Sequence, residues 1–376
     1  MASVAGPGSP APSTVAGRVS SLHIIGGKKL GGAERFFVRL VNALARQGEP
    51  VEVVTVPGGE IDAAVDPQIP RHPAPLAGVF DVWSRLRIRQ IVKKRSPAIV
   101  QTYMGRATRL THLPKNGGSL HVARLGGYYG LGGYRHAHAW IGNTRGICDY
   151  LIREGLPRER VFHIGNFVDP APRHAAETLH ELRRKWLIPD EARIILGLGR
   201  LHPNKGFSDL LQAFARLPPE LQDRPLHLVM VGDGPLRAEL RAEARQLGME
   251  KRVTWAGWQY EPSPWYQLAD VFVCSSRHEP LGNVILEAWA NSALTVTPAG
   301  EGPVERITPG QDALLGPPAD PIRLADSLLK ALSLDAETRA AMIEAGRAKL
   351  AANFSETAIV TAYLDLYRKL SAAQHG

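Results

Sequence analysis

Residues 193–217 read RIILGLGRLHPNKGFSDLLQAFARL. The first seven are an aliphatic and glycine run without polar alternation, the pattern of a strand covered on both faces. From residue 207 to 217 the pattern becomes helical, and the connection between the two holds glycine and proline. A buried strand, a short loop and a helix are the building block of a parallel sheet with helices on both sides.

The same alternation runs along the whole chain. Upstream, residues 19–25 read as a buried strand, and 33–47 follow with Phe37, Leu40, Val41 and Leu44 at a helical period. Gly48 stands where a helix C-terminal cap belongs. Further strands are expected at 51–56, 98–102, 120–124, 139–142 and 161–164. After a helix at 175–186, the strand at 193–199 restarts the series, which continues at 226–231, 252–255, 270–274 and 293–297. Helices are expected between them at 207–217, 235–248 and 281–291, and three more at 321–332, 336–353 and 356–372 close the chain. At about 150 residues per domain, 376 residues make two domains. The break is expected in NFVDPAPRHA, residues 166–175, which has two prolines and no periodicity. The sequence thus predicts a disordered Ala/Gly/Pro/Ser tail at 1–17, a doubly wound α/β domain at 18–172 and a second at 173–355. The last helix is expected to pack back on the first domain.

Composition narrows the function. With 44% hydrophobic and 22% charged residues the chain is globular, and glycine plus proline, about 18%, stays below the level of low-complexity disorder. Cys148 and Cys274 are the only cysteines, too few for a disulfide scaffold or a cysteine zinc site, and consistent with a reducing compartment. No uncharged apolar stretch reaches the length of a membrane-spanning helix, and the first 17 residues lack the basic start and apolar core of a signal peptide. The net charge of +9 invites nucleic acid, an anionic membrane or a phosphorylated substrate. Its distribution is uneven: residues 1–172 carry 22 Lys+Arg against 11 Asp+Glu, and residues 173–376 carry 23 against 25.

Ligands of open α/β sheets bind beyond the carboxyl ends of the strands, so the loops there hold the candidate residues. After the 193–199 strand, Arg200 and Lys205 lie on a glycine- and proline-containing loop that enters a helix. Two cations so placed suit a diphosphate, Arg200 binding oxygens bidentately and Lys205 as a point charge, although the same loop can be merely solvated. After 226–231 come Gly232, Asp233, Gly234 and Pro235, a routine strand-to-helix turn or a place of close backbone approach to a planar base. After 270–274, Glu279 precedes a helix and Glu287 lies about one and a half turns inside it, while Leu281, Gly282 and Asn283 occupy its start. Two carboxylates at this spacing can hold hydroxyls on different parts of one extended ligand, and the free N–H groups suit phosphate oxygens.

Taken together these motifs resemble retaining glycosyltransferase family 4, which has the GT-B fold. EPLGNVILE (279–287) is similar to that family's E-x7-E signature, and Gly199-Arg200 with Lys205-Gly206 to its Arg/Lys pair. Gly31-Gly32-Ala33-Glu34 resembles its N-terminal glycine-rich loop, and Asn166-Phe167-Val168-Asp169 its segment entering the second domain. Glu279-Pro-Leu-Gly-Asn followed by Glu287-Ala-Trp-Ala also resembles lipopolysaccharide-core transferases. The resemblance implies two Rossmann-like domains facing an interdomain cleft and a UDP- or GDP-sugar donor, with no further cofactor. Glu279 would contact the donor sugar hydroxyls and Glu287 the ribose, while Arg200 and Lys205 neutralise the diphosphate leaving group. Gly31, Gly32, Asp233, Gly234, Leu281, Gly282 and Asn283 would complete the donor site. The absence of any Asp-x-Asp argues against a metal-dependent GT-A enzyme and suits metal-free stabilisation of the leaving group. Retention would proceed by attack on the face from which the diphosphate leaves, without an identifiable protein nucleophile.

The first half reads as the acceptor side. Where the family often carries a histidine after the strand at 120–124, this chain has Arg124-Leu125-Gly126-Gly127-Tyr128-Tyr129, and Gly126, Gly127 and Tyr128 become candidates for shaping the acceptor pocket. His112, His121, His136 and His138 have no metal spacing and read as core or surface histidines. Residues 83–95 interleave Arg85, Arg87, Arg89, Lys93, Lys94 and Arg95 with Trp83, Leu86, Ile88, Ile91 and Val92. On a helix this is either a solvated amphipathic face or one that lies on anionic lipid. The expectation is an enzyme of the cytoplasm, peripheral at the inner face of the membrane, acting on a lipid-linked or lipopolysaccharide glycan. The alternatives are another GT-B enzyme, such as a sugar-nucleotide epimerase or a phosphorylase, or a basic nucleic-acid-binding module. The Arg/Lys and E-x7-E set favours transfer over the first, no lysine is placed for a pyridoxal cofactor, and no standard binding motif supports the second.

Overall fold

The computed structural model describes residues 17–279 and 282–375. The tail expected at 1–17 therefore lies, up to residue 16, outside the described residues, and so does the candidate donor residue Leu281. The chain forms two compact units: Phe167–Ser355 is one, and the chain up to Asn166 together with the chain from Glu356 is the other.

In the N-terminal unit the elements are β1 (Ser21–Ile25), α1 (Gly32–Arg46), β2 (Val51–Thr55), α2 (Glu60–Ala64), β3 (Arg71–Pro73), α3 (Val82–Arg95), β4 (Ile99–Tyr103), α4 (Met104–Leu110), β5 (Leu120–Leu125), β6 (Ala139–Gly142), α5 (Arg145–Arg153) and β7 (Val161–His163). The strands make one parallel sheet in the order β3-β2-β1-β4-β5-β6-β7. The other unit holds α6 (Ala176–Lys185), β8 (Arg193–Leu198), α7 (Phe207–Ala215), β9 (Glu220–Leu221), β10 (Arg224–Val231), α8 (Arg237–Gln246), β11 (Val253–Gly257), α9 (Ser263–Leu268), β12 (Val271–Val273), α10 (Asn283–Ala290), β13 (Thr295–Pro298), α11 (Glu301–Val304), β14 (Leu314–Gly316), α12 (Pro321–Leu332) and α13 (Ala336–Asn353). Its parallel strands run β11-β10-β8-β12-β13-β14, and the short β9 pairs antiparallel with β10. The final helix, α14 (Glu356–His375), belongs to the N-terminal unit.

The unbroken apolar run of β8 has a direct cause. Ile195 joins a core with Leu228, Met230, Val271 and Val273 on one face of the sheet. Ile194 and Leu196 join a second core with Val229, Val231 and Phe272 on the other. With helices on both faces, neither side of the strand meets water and no alternation survives in the sequence.

α14 is held by packing and by a buried polar network. Phe36 packs against Tyr363 at 6.2 Å between ring centroids, and Arg46 pairs with Glu356 at 2.7 Å. Arg124 Nε donates to Tyr363 Oη at 2.9 Å, and Tyr367 Oη donates to Gln101 Oε1 at 2.6 Å. Gln101 Nε2 in turn donates to Tyr103 Oη, which also meets His23 Nδ1 at 2.9 Å. Every member is buried, so each needs its partner.

The short elements α2, β3, α4, α9, α11 and β14 have no counterpart in the sequence reading. Three to seven residues span at most two helical turns or a single strand repeat, too few for a period to emerge.

Candidate active site

Both sheets reverse their strand order beside the first strand: β1 lies between β2 and β4, and β8 between β10 and β12. The loops leaving such a pair diverge and open a crevice at the carboxyl edge. In the C-terminal unit that crevice is formed by the loops after β8 and β12, the two that carry Lys205 and Glu279.

The β8 loop is drawn tight. His202 caps a single 3-10 turn, Pro203–Lys205, and Gly206 closes it with φ +60°. A Cβ on Gly206 would lie 2.1 Å from the Ser275 carbonyl oxygen, so only glycine permits the β12 loop to approach. The loops are then tied together: Asn204 O accepts from the N–H groups of Arg277 and His278 at 2.9 and 3.2 Å, and Ser275 Oγ donates to Lys205 O at 2.9 Å. Arg277 clamps Asp209 with two 2.6 Å bonds.

This framework brings Lys205 Nζ to 2.5 Å from Glu279 Oε2. The same oxygen accepts from Ser276 Oγ at 2.9 Å, and Oε1 accepts from the N–H of Gly282, the residue that caps α10, at 3.0 Å. Glu279 is 8% exposed. Burial by itself raises its pKa, but the Lys205 charge, the hydrogen bonds from Lys205, Gly282 and Ser276, outweigh it and hold the carboxyl below its ordinary value. For Lys205 burial pulls down, the Glu279 carboxylate pulls up more strongly, and the ammonium ends above its usual range. Both groups are therefore charged at neutral pH. Burial lowers the pKa of nearby Arg306 to about 10, against the opposing pull of Glu305 and Glu279.

The remaining candidates distribute as follows. Arg200 is exposed immediately after β8 and makes no hydrogen bond or ion pair among the described residues. Glu287 lies in the second turn of α10, where buried Tyr266 donates to its Oε2 at 3.3 Å. Gly282 and Asn283 begin α10, with Gly282 at φ +75°. Asp233 caps its own turn: Oδ1 accepts from Gly234 N at 2.8 Å and Oδ2 pairs with Arg237 at 3.4 Å. Gly234 leaves room for the Leu201 carbonyl, which a Cβ would meet at 2.4 Å. Close approach at this turn is thus made by the protein's own β8 loop. Gly31 caps α1 and Gly32 begins it, in the other unit.

Sequence reasoning missed Ser276, Tyr266 and Arg306. Ser276 stands in the loop already singled out, three residues before Glu279, and its hydroxyl has a signal in that spacing. Tyr266 lies in the short α9, and Arg306 follows the four-residue α11; neither has a periodic context. Four histidines of the N-terminal unit, 112, 121, 136 and 138, gather: His112 stacks on His136 at 3.9 Å, His121 lies 5.5 Å from His136, and the His121 backbone N–H donates to His138 Nδ1 at 3.1 Å. Among the described residues no group of three or more His, Cys, Asp or Glu is placed to hold a metal ion.

Comparison with known proteins gives the family and the fold. The model described as Glycosyltransferase Family 4 matches residues 30–172, and the model described as Glycosyl transferases group 1 matches residues 180–349. The chain is 34% identical over 343 residues to the lipopolysaccharide core biosynthesis glycosyltransferase LpsE of Rhizobium meliloti, covering 90% of this chain and 96% of the relative. With LpsD of the same organism it is 32% identical over 355 residues, covering 92% and 97%. The structure of Anabaena HepE in complex with UDP-glucose superposes with a TM-score of 0.79 at 18% identity, over 94% of this chain and all of that one. Two Rossmann-like units with parallel sheets are the GT-B fold. The chain belongs to glycosyltransferase family 4.

Proposed function

We propose that the protein transfers a hexose from a nucleotide-diphosphate sugar to a lipopolysaccharide core acceptor, with retention of anomeric configuration and without a metal ion. The observation that carries this reading is the Lys205–Glu279 pair, its carboxylate buried and its ammonium half-buried, at the carboxyl edge of β8 and β12, next to the N–H groups that open α10. As the bond from the anomeric carbon to the diphosphate oxygen breaks, negative charge collects on the diphosphate. Lys205, the unpaired Arg200 and the α10 N-terminus stabilise that charge more than they stabilise the intact donor. The departing phosphate oxygen takes the proton of the acceptor hydroxyl, whose oxygen bonds to the anomeric carbon on the same face. Glu279 holds donor sugar hydroxyls, and Glu287, braced by Tyr266, holds the ribose.

The acceptor class follows the two relatives named for lipopolysaccharide core biosynthesis. The first half of the chain, net +11, suits a phosphorylated glycan and an anionic membrane surface, which supports action at the inner face of the cytoplasmic membrane. No helix among the described residues is long and apolar enough to cross a membrane.

A thermal-shift screen of UDP- and GDP-sugars identifies the donor, because binding to the folded state raises the melting temperature. The matched donor is then incubated with core oligosaccharide, with and without a chelator, and the new linkage is read by NMR. The expected product keeps the donor's anomeric configuration and forms equally well with chelator. An inverted linkage, or activity abolished by the chelator, overturns the mechanism, and no shift with any nucleotide sugar overturns the function.

A further inference from the structure

The crevice beside β1 holds two polar side chains that the protein leaves without partners. β1, β4 and β5 are adjacent and parallel, so the loops that follow them share one edge of the sheet. Glu34 stands in the first turn of α1, half-buried, and its carboxylate lies against the glycine-rich loop after β1. A Cβ on Gly27 would stand 3.2 Å from its Oε1, and one on Gly31 2.6 Å from its Oε2. The loop amides are turned elsewhere: the Leu30 N–H donates to Glu60 Oε2 at 2.9 Å and the Gly31 N–H to Lys29 O at 3.2 Å. Among the described residues Glu34 makes no hydrogen bond or ion pair, not even with Lys28 and Lys29, exposed on the same loop. A half-buried carboxylate without a donor carries an unmet desolvation cost that a ligand hydroxyl would relieve.

The second side chain is Tyr129, in the loop after β5. Its neighbour Tyr128 turns inward, edge-to-face on Tyr150 at 5.4 Å, whereas Tyr129 stays 41% exposed. Its position is nevertheless fixed. Tyr150 Oη donates to the Tyr129 carbonyl at 2.9 Å, and the Tyr129 N–H donates to Gly127 O at 3.1 Å. The ring runs parallel to that of buried Tyr134, with centroids 6.2 Å apart, while its hydroxyl makes no hydrogen bond among the described residues. Tyr134 Oη in turn stands beside Gly105, 3.2 Å from where a Cβ would be. The residue before that glycine, Met104, is 38% exposed and has φ +63°. A methionine in the left-handed region costs about 1–3 kcal/mol, and such strain gathers at ligand sites. Burial raises the Tyr129 pKa, Arg124 opposes it and the Glu34 carboxylate adds to it, so that carboxylate lies within electrostatic reach of the phenol.

We propose that Tyr129 and Glu34 form the subsite for the terminal sugar of the acceptor: one face of an uncharged pyranose lies on the Tyr129 ring beside Met104, and a hydroxyl next to the attacking one donates to the Glu34 carboxylate. The proposal rests on the transfer reading above and gives the acceptor end its chemistry. The C–H face of a pyranose buries apolar surface on an aromatic ring, and its rim supplies hydroxyl donors. A carboxylate only accepts, so it selects a hydroxyl and repels a phosphate. Arg106, the arginine that crosses this crevice, is already bonded to the Gly26 and Leu76 carbonyls and does not offset that repulsion. Any phosphate that the basic first half attracts therefore belongs to another part of the acceptor. The bond to Glu34 orients the ring, while the proton of the attacking hydroxyl still leaves with the departing phosphate.

The test uses the full chain and core oligosaccharide from cells lacking this protein, which ends in the acceptor sugar. Binding without donor is measured by calorimetry, and KM for each substrate by steady-state kinetics. Glu34→Gln should weaken oligosaccharide binding about 10–100-fold, the loss of a hydrogen bond to a charged group. Tyr129→Ala should weaken it about tenfold, and Tyr129→Phe, which keeps the ring, less than about threefold. Acceptor KM should follow, while donor KM and the donor-induced thermal shift stay as in the wild type and show that the variants are folded. Among methyl glycosides of the terminal sugar with single hydroxyls removed, one should bind the wild type as weakly as the intact glycoside binds Glu34→Gln, and lose nothing further in that variant. No binding by the wild type, full binding by Glu34→Gln and Tyr129→Ala, or a rise in donor KM instead of acceptor KM overturns the proposal. So does equal loss for every deoxy glycoside, or a terminal sugar that bears phosphate. Because binding is read without turnover, the two readings fail separately. Absence of transfer with this binding pattern intact refutes the transfer reading alone; transfer with binding unchanged in both variants refutes the subsite alone.

Discussion

The crevices beside β1 and β8 arise from the same reversal of strand order, yet they are filled in opposite ways. In the N-terminal unit Arg106 crosses its crevice to the Gly26 and Leu76 carbonyls at 2.9 and 3.0 Å, and the Glu34 carboxylate folds over Gly31. Arg106 is there consumed in holding loops. In the C-terminal unit two loops are locked by backbone hydrogen bonds, and their side chains deliver a half-buried lysine on a buried glutamate, with an exposed arginine on the same β8 loop. Topology locates a crevice; what its side chains are already bonded to decides whether it has charge left for a ligand.

The largest expected effect separates the two crevices directly. Lys205→Ala should lower kcat about 10²–10³-fold, the loss typical of a group that stabilises transition-state charge, and should also lower the melting temperature because Glu279 loses its cation. Arg106→Ala should lower the melting temperature while kcat falls less than about tenfold. Steady-state kinetics and thermal denaturation of the pair decide it, and equal kcat losses would break the comparison.

Glycine substitution tests the loops themselves. Gly206→Ala puts a Cβ against the Ser275 backbone at φ +60° and should cost about 2–4 kcal/mol in urea denaturation. In Gly31→Ala the nearest atom, at 2.6 Å, is the end of the flexible Glu34 side chain, which can swing aside, so the cost should stay below about 1 kcal/mol.

Acid should distinguish the units more gently. Burial lowers His23 to about 3 and His121 well below its ordinary value, the latter helped by His136, His138 and His112. In the C-terminal unit burial, with Arg252 and Arg183, takes His227 to about 4. Each is neutral when folded and protonates near 6.5 when unfolded, so the unfolded state binds more protons and stability falls as pH drops below about 6.5. The slope is at most about 1.4 kcal/mol per pH unit for each histidine. The N-terminal unit, with two of the three, should lose hydrogen-exchange protection first between pH 7 and 5. Earlier loss in the C-terminal unit would contradict this assignment.

Much of this was legible before any coordinates. The apolar run of β8 and the period of α1 emerge because long elements repeat their burial pattern, and helices 321–332 and 336–353 fall where α12 and α13 lie. Arg200, Lys205, Glu279 and Glu287 are candidates on the sequence alone because residue types suited to a diphosphate and to sugar hydroxyls stand after strand ends. Their bracing was legible only in part. Tyr266 acts through a hydroxyl that the fold brings to Glu287 from 21 positions away, which no local spacing announces, whereas Ser276 stands three residues before Glu279. The interleaved residues of α3 were equally ambiguous: Ile88, Ile91 and Val92 turn inward while Trp83 and Leu86 stay in water.

By itself, then, the sequence determined two doubly wound units, the loops that carry charge and the concentration of basic residues in the first half. Those features depend on local periodicity and residue type, which are written residue by residue. Only the tertiary structure decided that Lys205 and Glu279, 74 positions apart, meet at 2.5 Å while Arg200 stays free, and that Arg106 is spent on its own loop. Which charges pair depends on where distant loops are brought by sheet order and by a glycine that admits a neighbouring backbone, and neither is a local property of the chain.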